Sequence, residues 1–180
     1  MRRTCWLVLF LAVSAAPAGA QAPPPAAAPA WRPFAEFAPL LGTWSGTATS
    51  GTRIGGLAAR FSMELAGTVF AERTTSVFPA EDGRPEETFD EVGYVSYDRE
   101  KRRYVAAYYF STGVFGSYDV EILPEGGIRM TAAALSNYEA GARSRRAFTR
   151  KVDGSLDLSL DLAPAGKDFT PFLSGTLKKK

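Results

Sequence analysis

From residue 43 to residue 177 apolar and polar side chains alternate with a period of two, broken at short intervals by glycine, aspartate and proline. Successive side chains leave a strand on opposite faces, so this period predicts strands with one face in a core and one in water. Three segments are clean. Leu57, Ala59, Phe61, Met63 and Leu65 oppose Ala58, Arg60, Ser62 and Glu64; Tyr118, Val120 and Ile122 oppose Ser117, Asp119 and Glu121; Leu156, Leu158, Leu160 and Leu162 oppose Asp157, Ser159 and Asp161. The strands these imply cover 57–66, 115–123 and 155–162. Weaker alternation predicts strands at 43–50, 68–78, 89–98, 103–112, 127–134, 143–151 and 170–177, about ten in all.

The gaps are short and carry turn chemistry, as in Ala66-Gly67, Asp98-Arg99-Glu100-Lys101, Glu125-Gly126-Gly127 and Asp153-Gly154. Short gaps join antiparallel neighbours. A meander of so many strands removes its exposed edges by closing on itself. The predicted fold class is all-β: a closed antiparallel up-and-down β-barrel of about ten strands with a short N-terminal plug helix. The longest gap, 79–88, holds Glu81-Asp82-Gly83-Arg84-Pro85-Glu86-Glu87 and is predicted to be a mobile acidic loop at the rim.

Before Gly42 the period is helical. Phe34, Phe37 and Leu41 recur at helix spacing over about two turns, which Pro39 makes irregular. The chain then turns at Gly42, and Trp44 shares a strand face with Gly46 and Ala48. A large ring beside two small residues suits the narrow end of a barrel, and it also suits an ordinary core tryptophan. Gly42, Trp44 and Arg150, the last stacked on the ring, are the candidate closure residues.

The start of the chain reads differently. Arg2 and Arg3 precede an apolar run at 5–13 that is too short to span a bilayer, and Ala18-Gly19-Ala20 fits a cleavage site. Residues 1–20 are predicted to be a signal peptide, 21–33 a Pro/Ala-rich disordered tether, and 34–180 the barrel domain. The expectation is an exported protein, periplasmic or secreted, with no stable membrane insertion after cleavage. The single cysteine, Cys5, lies in the signal, so the domain must rely on its core and not on disulfides. The formal net charge is +2, and removing the two signal arginines brings it to zero, so nothing asks for nucleic acid as a partner.

The chain contains no histidine. Serine-histidine and cysteine-histidine catalysis are excluded, and the usual zinc and proximal haem ligands are missing. No catalytic residue, metal site or cofactor is predicted. The carboxylate pairs Asp90-Glu91 and Asp157/Asp161, and the basic runs 101–103, 143–146 and 178–180, read as solvated charge.

Leu40-Leu41-Gly42-Thr43-Trp44-Ser45-Gly46 after a short plug resembles the opening of calycin-type barrels: lipocalins, fatty-acid-binding proteins and the nitrobindin-like group. Val92-Gly93-Tyr94-Val95-Ser96-Tyr97-Asp98, a charged turn and Arg103-Tyr104-Val105-Ala106 are similar to a bacterial domain family of unknown function near those barrels. That family carries a G-Y-D, turn, K-Y-V pattern; here Ser96 precedes Tyr97-Asp98 and Arg103 replaces the lysine. The resemblance implies a closed barrel with an interior cavity. The nitrobindin-like branch binds haem through a histidine near its C-terminal end, whereas this chain reads Thr170-Pro171-Phe172-Leu173-Ser174-Gly175 there; a tyrosine can ligate haem in principle.

If Phe148 faces inward, Arg146 and Arg150 do too, and Arg146 could hold an acidic head group as the fatty-acid-binding resemblance implies; Arg145 and Ala147 could instead take the inward places. On the fifth strand Tyr104, Tyr108 and Phe110 share one face and Val105, Ala107 and Tyr109 the other, and either suits a cavity. The candidate ligand-binding residues are Phe61, Met63, Tyr94, Tyr108, Tyr118, Arg146 and Phe148. The predicted function is non-enzymatic binding of a small apolar or amphipathic molecule. The alternatives are a filled barrel serving as an interaction module, favoured by a cavity below about 300 Å³, or an isomerase- or lyase-type enzyme using tyrosine and arginine.

Overall fold

The computed structural model describes residues 34–180; the predicted signal peptide and tether fall outside the described residues. A 3-10 helix at Ala35–Leu40 leads into eleven strands: β1 Gly42–Ser50, β2 Arg53–Glu64, β3 Val69–Phe78, β4 Glu87–Asp98, β5 Arg103–Phe110, β6 Phe115–Leu123, β7 Gly127–Ala132, β8 Leu135–Ser136, β9 Arg143–Arg150, β10 Leu156–Ala163 and β11 Thr170–Lys179. All pairings between strands are antiparallel, in the order β5-β4-β3-β2-β1-β11-β10-β9-β7-β6, and β6 pairs back onto β5. Ten long strands therefore close into a barrel, as the alternation predicts. The two-residue β8, which carries no alternation to read, adds to the start of β6 through Leu135 and Gly116.

Both boundaries of β2 differ from the sequence reading, and β4, β5, β7 and β11 each differ by two residues at one end. β2 begins at Arg53, ahead of Leu57, because Gly55 and Gly56 hide the period while still pairing. At Gly55 a Cβ would lie 2.3 Å from the Val77 carbonyl oxygen, so only glycine fits. β2 ends at Glu64, and Leu65 and Ala66 follow in left-handed backbone (φ 48° and 56°), leaving Leu65 exposed and not inward as expected.

The plug is a 3-10 helix with Pro39 inside it. Its three-residue repeat buries Phe34, Phe37 and Leu40, and so puts Leu40 in the place expected for Leu41. Phe37 meets Phe70 at 4.8 Å and Tyr104 at 5.1 Å between ring centroids. Trp44 is buried at this end, and its indole Nε1 donates to the Leu40 carbonyl at 2.7 Å. Lys179 Nζ lies 5.6 Å from the indole centroid. Arg150, expected to stack there, is exposed where β9 leaves the barrel, and Lys179 takes the place. Gly42 has φ +119°, a backbone conformation that favours glycine, and Lys179 Cε packs against it, 2.9 Å from where a Cβ would sit.

Above the plug, Phe61 stacks on Phe70 at 5.7 Å and meets Phe148 edge-on at 5.2 Å, with Leu156, Leu158 and Leu177 buried around them. The half of the barrel nearest Trp44 is packed solid.

The segment at 79–86 is not the loose loop expected. Buried Arg53 pairs with Glu87 at 2.5 Å and donates from Nη2 to the carbonyls of Phe78 (3.2 Å), Pro79 (3.0 Å) and Pro85 (3.2 Å). One guanidinium thus ties the base of the segment, and Glu81 and Arg84 pair across its tip. Arg53→Ala is expected to raise amide exchange in 79–86 by roughly tenfold or more, since hydrogen bonds to a charged group contribute about 1.5–3 kcal/mol. Hydrogen-exchange mass spectrometry checks this, with β10 as the unaffected reference.

Candidate functional site

Alternation turns a specific set of polar residues into the barrel's waist. β3 sends in Phe70, Glu72, Thr74, Ser76 and Phe78; β4 sends in Phe89, Glu91, Gly93 and Val95; β9 sends in Ser144, Arg146 and Phe148. At mid-height Arg146 Nη2 lies 3.0 Å from Glu72 Oε1 and also pairs with Glu91. The Tyr108 hydroxyl donates to Glu72 Oε2 at 2.5 Å and Thr74 Oγ1 donates to Glu72 Oε1 at 2.8 Å. The Arg146 guanidinium lies 4.6 Å from the Tyr108 ring centroid and 5.5 Å from that of Phe148.

Room for this cluster comes from Gly93. It pairs with Tyr108 across β4 and β5, and a Cβ on it would fall 2.3 Å from the tyrosine ring. The ring rests on bare backbone, and its hydroxyl is thereby aimed at Glu72.

The cluster holds two carboxylates and one guanidinium. Burial pushes the Glu72 carboxyl above its ordinary value and neighbouring Glu91 adds to this, against the opposing pull of Arg146. Burial opposes the charge on Arg146, but Glu72 and Glu91 outweigh it and hold the guanidinium charged. Burial and Glu72 also hold the Tyr108 phenol far above its ordinary value, so it acts only as a donor or neutral group. Arg146 Nε and Nη1 make no hydrogen bond, and Glu91 Oε2 is buried against Arg146 as an ion pair.

On the side of the cluster away from Trp44 the barrel is open. A cavity of about 290 Å³ lies there, walled by Phe89, Phe110, Leu160, Leu162 and Leu173. Its buried polar lining residues are Glu91, 7% exposed, and Ser144, 1% exposed. Ser144 Oγ shares a 2.6 Å hydrogen bond with the Tyr118 hydroxyl. Val114, Leu135, Tyr138 and Phe172 stand at the rim. Phe172 is placed there by a bulge: Leu160 pairs with Leu173 but Asp161 with Pro171, so Phe172 is the extra residue of β11.

The structure brings Tyr108, Tyr118 and Arg146 together at the waist. Phe61, Met63 and Phe148 belong to the packed half, where Met63 is partly buried against the core, and they do not line the cavity. Tyr94 faces outward, into a shallow groove with Ser96, Arg103 and Asp119. Arg146 does not offer its charge to an acidic head group as expected, because Glu72 and Glu91 already take it. Asp90-Glu91, read as a solvated pair, is split by the strand: Asp90 accepts from Thr75 Oγ1 at 2.6 Å on the outside, while Glu91 lies inside. The basic run at 143–146 splits likewise, with Arg145 outside on Asp161 at 2.8 Å. Glu72 and Glu91 escaped the sequence reading because β3 and β4 carry too few apolar residues to show which face is inward. The Leu160 and Leu162 walls were visible in the alternation of β10, but only the closed geometry shows that their end of the strand is the open one.

Residues 34–179 match the family described as THAP4-like, heme-binding beta-barrel domain. No curated protein matches the sequence. Among solved structures, the chain is similar to Rv2717c from M. tuberculosis, with a TM-score of 0.58 and 15% identity over 85% of this chain and 98% of that one. At that identity the likeness is one of fold.

The residues present do not fit a haem. The cavity lining holds no histidine, cysteine or methionine, and its one phenol, Tyr138, is half exposed on the rim. At about 290 Å³ the cavity lies at the lower end of the range for small-molecule pockets. Among the described residues no group of three or more His, Cys, Asp or Glu could hold a metal ion. By sequence and by its closed ten-stranded sheet, the chain belongs to the THAP4-like, heme-binding β-barrel domain family, in a form whose cavity lining holds no histidine, cysteine or methionine.

Proposed function

We propose that this protein is an exported, non-enzymatic binder of a small amphipathic molecule, held in the open half of the barrel. The observation that carries this is the cavity itself: apolar walls closing on a buried carboxylate and hydroxyl. Pockets of that composition bind small molecules by apolar burial and use a few polar groups for orientation. The family's ligand-binding description supports the general reading, and a cavity of about 290 Å³ suits a small ligand.

The volume, about 290 Å³, stands at the border between a binding barrel and a filled one. Binding is favoured because the space sits on charged groups that a merely structural core would cover. The features at 1–20 support export, and N-terminal sequencing of protein from its own host should begin at Gln21; retention of Arg2 would reject cleavage.

Native mass spectrometry of that protein should show a small adduct, and haemin titration should give no Soret shift. Leu160, 4% exposed on the cavity wall, is the place to fill the space. Leu160→Trp is expected to abolish the adduct while the far-ultraviolet dichroism stays that of the wild type. An adduct that persists unchanged in Leu160→Trp, or a wild-type protein that takes no small amphiphile at all, counts against the proposal.

A further inference from the structure

We infer that the molecule bound in this cavity carries a cationic head, a protonated amine, seated against Glu91 and Ser144 with its apolar part among Phe110, Leu160 and Leu162. The inference rests on the binding function proposed above.

The carboxyl side chain that the lining turns inward is Glu91, and the lining holds no lysine or arginine. Glu91 is more than nine-tenths buried and lines the cavity, with its Oε2 turned to Arg146. Arg146 does not line the cavity; it is 1% exposed, and an anion could reach it only by displacing Glu91. An acidic ligand would therefore desolvate its own charge beside a carboxylate, which is costly in a buried site.

Charge balance points the same way. The groups facing Glu91 are Glu72 from β3, Tyr108 from β5, Arg146 from β9 and, through Ser144, Tyr118 from β6. Both tyrosines stay neutral, so two carboxylates share one guanidinium and one negative charge is left over. Burial and Glu91 push the Glu72 carboxyl above its ordinary value, the direction expected where negative charge is in surplus. An ammonium at Glu91 supplies positive charge to the cluster from the cavity side. An ammonium also brings up to three donors to Glu91 and Ser144 Oγ.

The test is calorimetric titration of the full-length mature protein with octylammonium, 1-octanol and octanoate, three ligands of matched chain length. Octylammonium is expected to bind at least tenfold more tightly than octanol and octanoate more weakly than either. Glu91→Gln is expected to bring amine and alcohol affinities together while keeping the alcohol's. Octanol or octanoate binding as tightly as the amine overturns the cationic head but leaves the binding cavity standing. No binding by any of the three overturns both. The comparison of the three ligands on wild-type protein is decisive whether or not Glu91→Gln folds.

Discussion

Arg146→Ala is expected to destabilise the barrel by about 3–5 kcal/mol, the typical loss when one partner of a buried ion pair is removed. Arg146 is the only cation facing Glu72 and Glu91 among the described residues, and all three are buried. Without it, the fold must either keep two like charges adjacent in an apolar interior or protonate them. The loss should therefore grow with pH. Glu72 is already raised above the ordinary value of 4.5 in the wild type. A carboxyl raised on folding contributes stability that is fully present below its unfolded pKa and is lost as pH rises through its folded pKa. Wild-type stability should thus decline from near pH 4.5 upward, and Arg146→Ala should decline more steeply over the same window. Urea melts across pH 4.5–8.5 read both slopes. Glu72→Gln removes the titrating group and is expected to flatten the wild-type curve. Replacing all three, as Glu72→Leu, Glu91→Met and Arg146→Met, should recover most of the stability, because the cost lies in unpaired charge and not in lost packing. An Arg146→Ala loss that is small and independent of pH would mean the cluster is wetter than its burial indicates.

Trp44→Ala should cost about 3–5 kcal/mol by a different route, the loss of a large buried ring and the void it leaves. Trp44 is 1% exposed, so the whole ring area returns to a cavity. The indole also holds the plug, through its 2.7 Å bond to the Leu40 carbonyl. Amides at 35–41 should therefore exchange rapidly in the variant even under conditions where the strands remain protected. Trp44→Phe keeps most of the ring but not the donor, and should lose the plug's protection with a smaller fall in stability, about 1 kcal/mol for the hydrogen bond. Denaturant midpoints and site-resolved exchange separate the two contributions.

Much of the fold is legible from period alone. β6 and β10 alternate so strictly that their inward faces, led by Tyr118 and Leu158, could be assigned without coordinates, and Gly42 and Trp44 mark the closed end. The waist is not legible. Glu72 follows an alanine and precedes an arginine, so local pattern gives no reason to point it inward; the fold does so because Phe70 and Phe78 on the same parity must be buried. Glu91 is inward for the same kind of reason, set by Phe89 and Val95. Arg146 was found by parity with Phe148, yet its role was misjudged because its partners lie 74 residues away for Glu72 and on a different strand again for Glu91. Long-range pairing in a closed sheet is information that no local window contains.

The position of the binding cavity can be mapped by titrating ¹⁵N-labelled protein with octylammonium and following backbone shifts. Perturbations are expected at 89–91, 110–114, 160–162 and 172–173, with residues 42–46 and 61 unmoved. Shifts centred on the Trp44 end, or none at saturating ligand, would contradict a barrel filled at one end and receptive at the other.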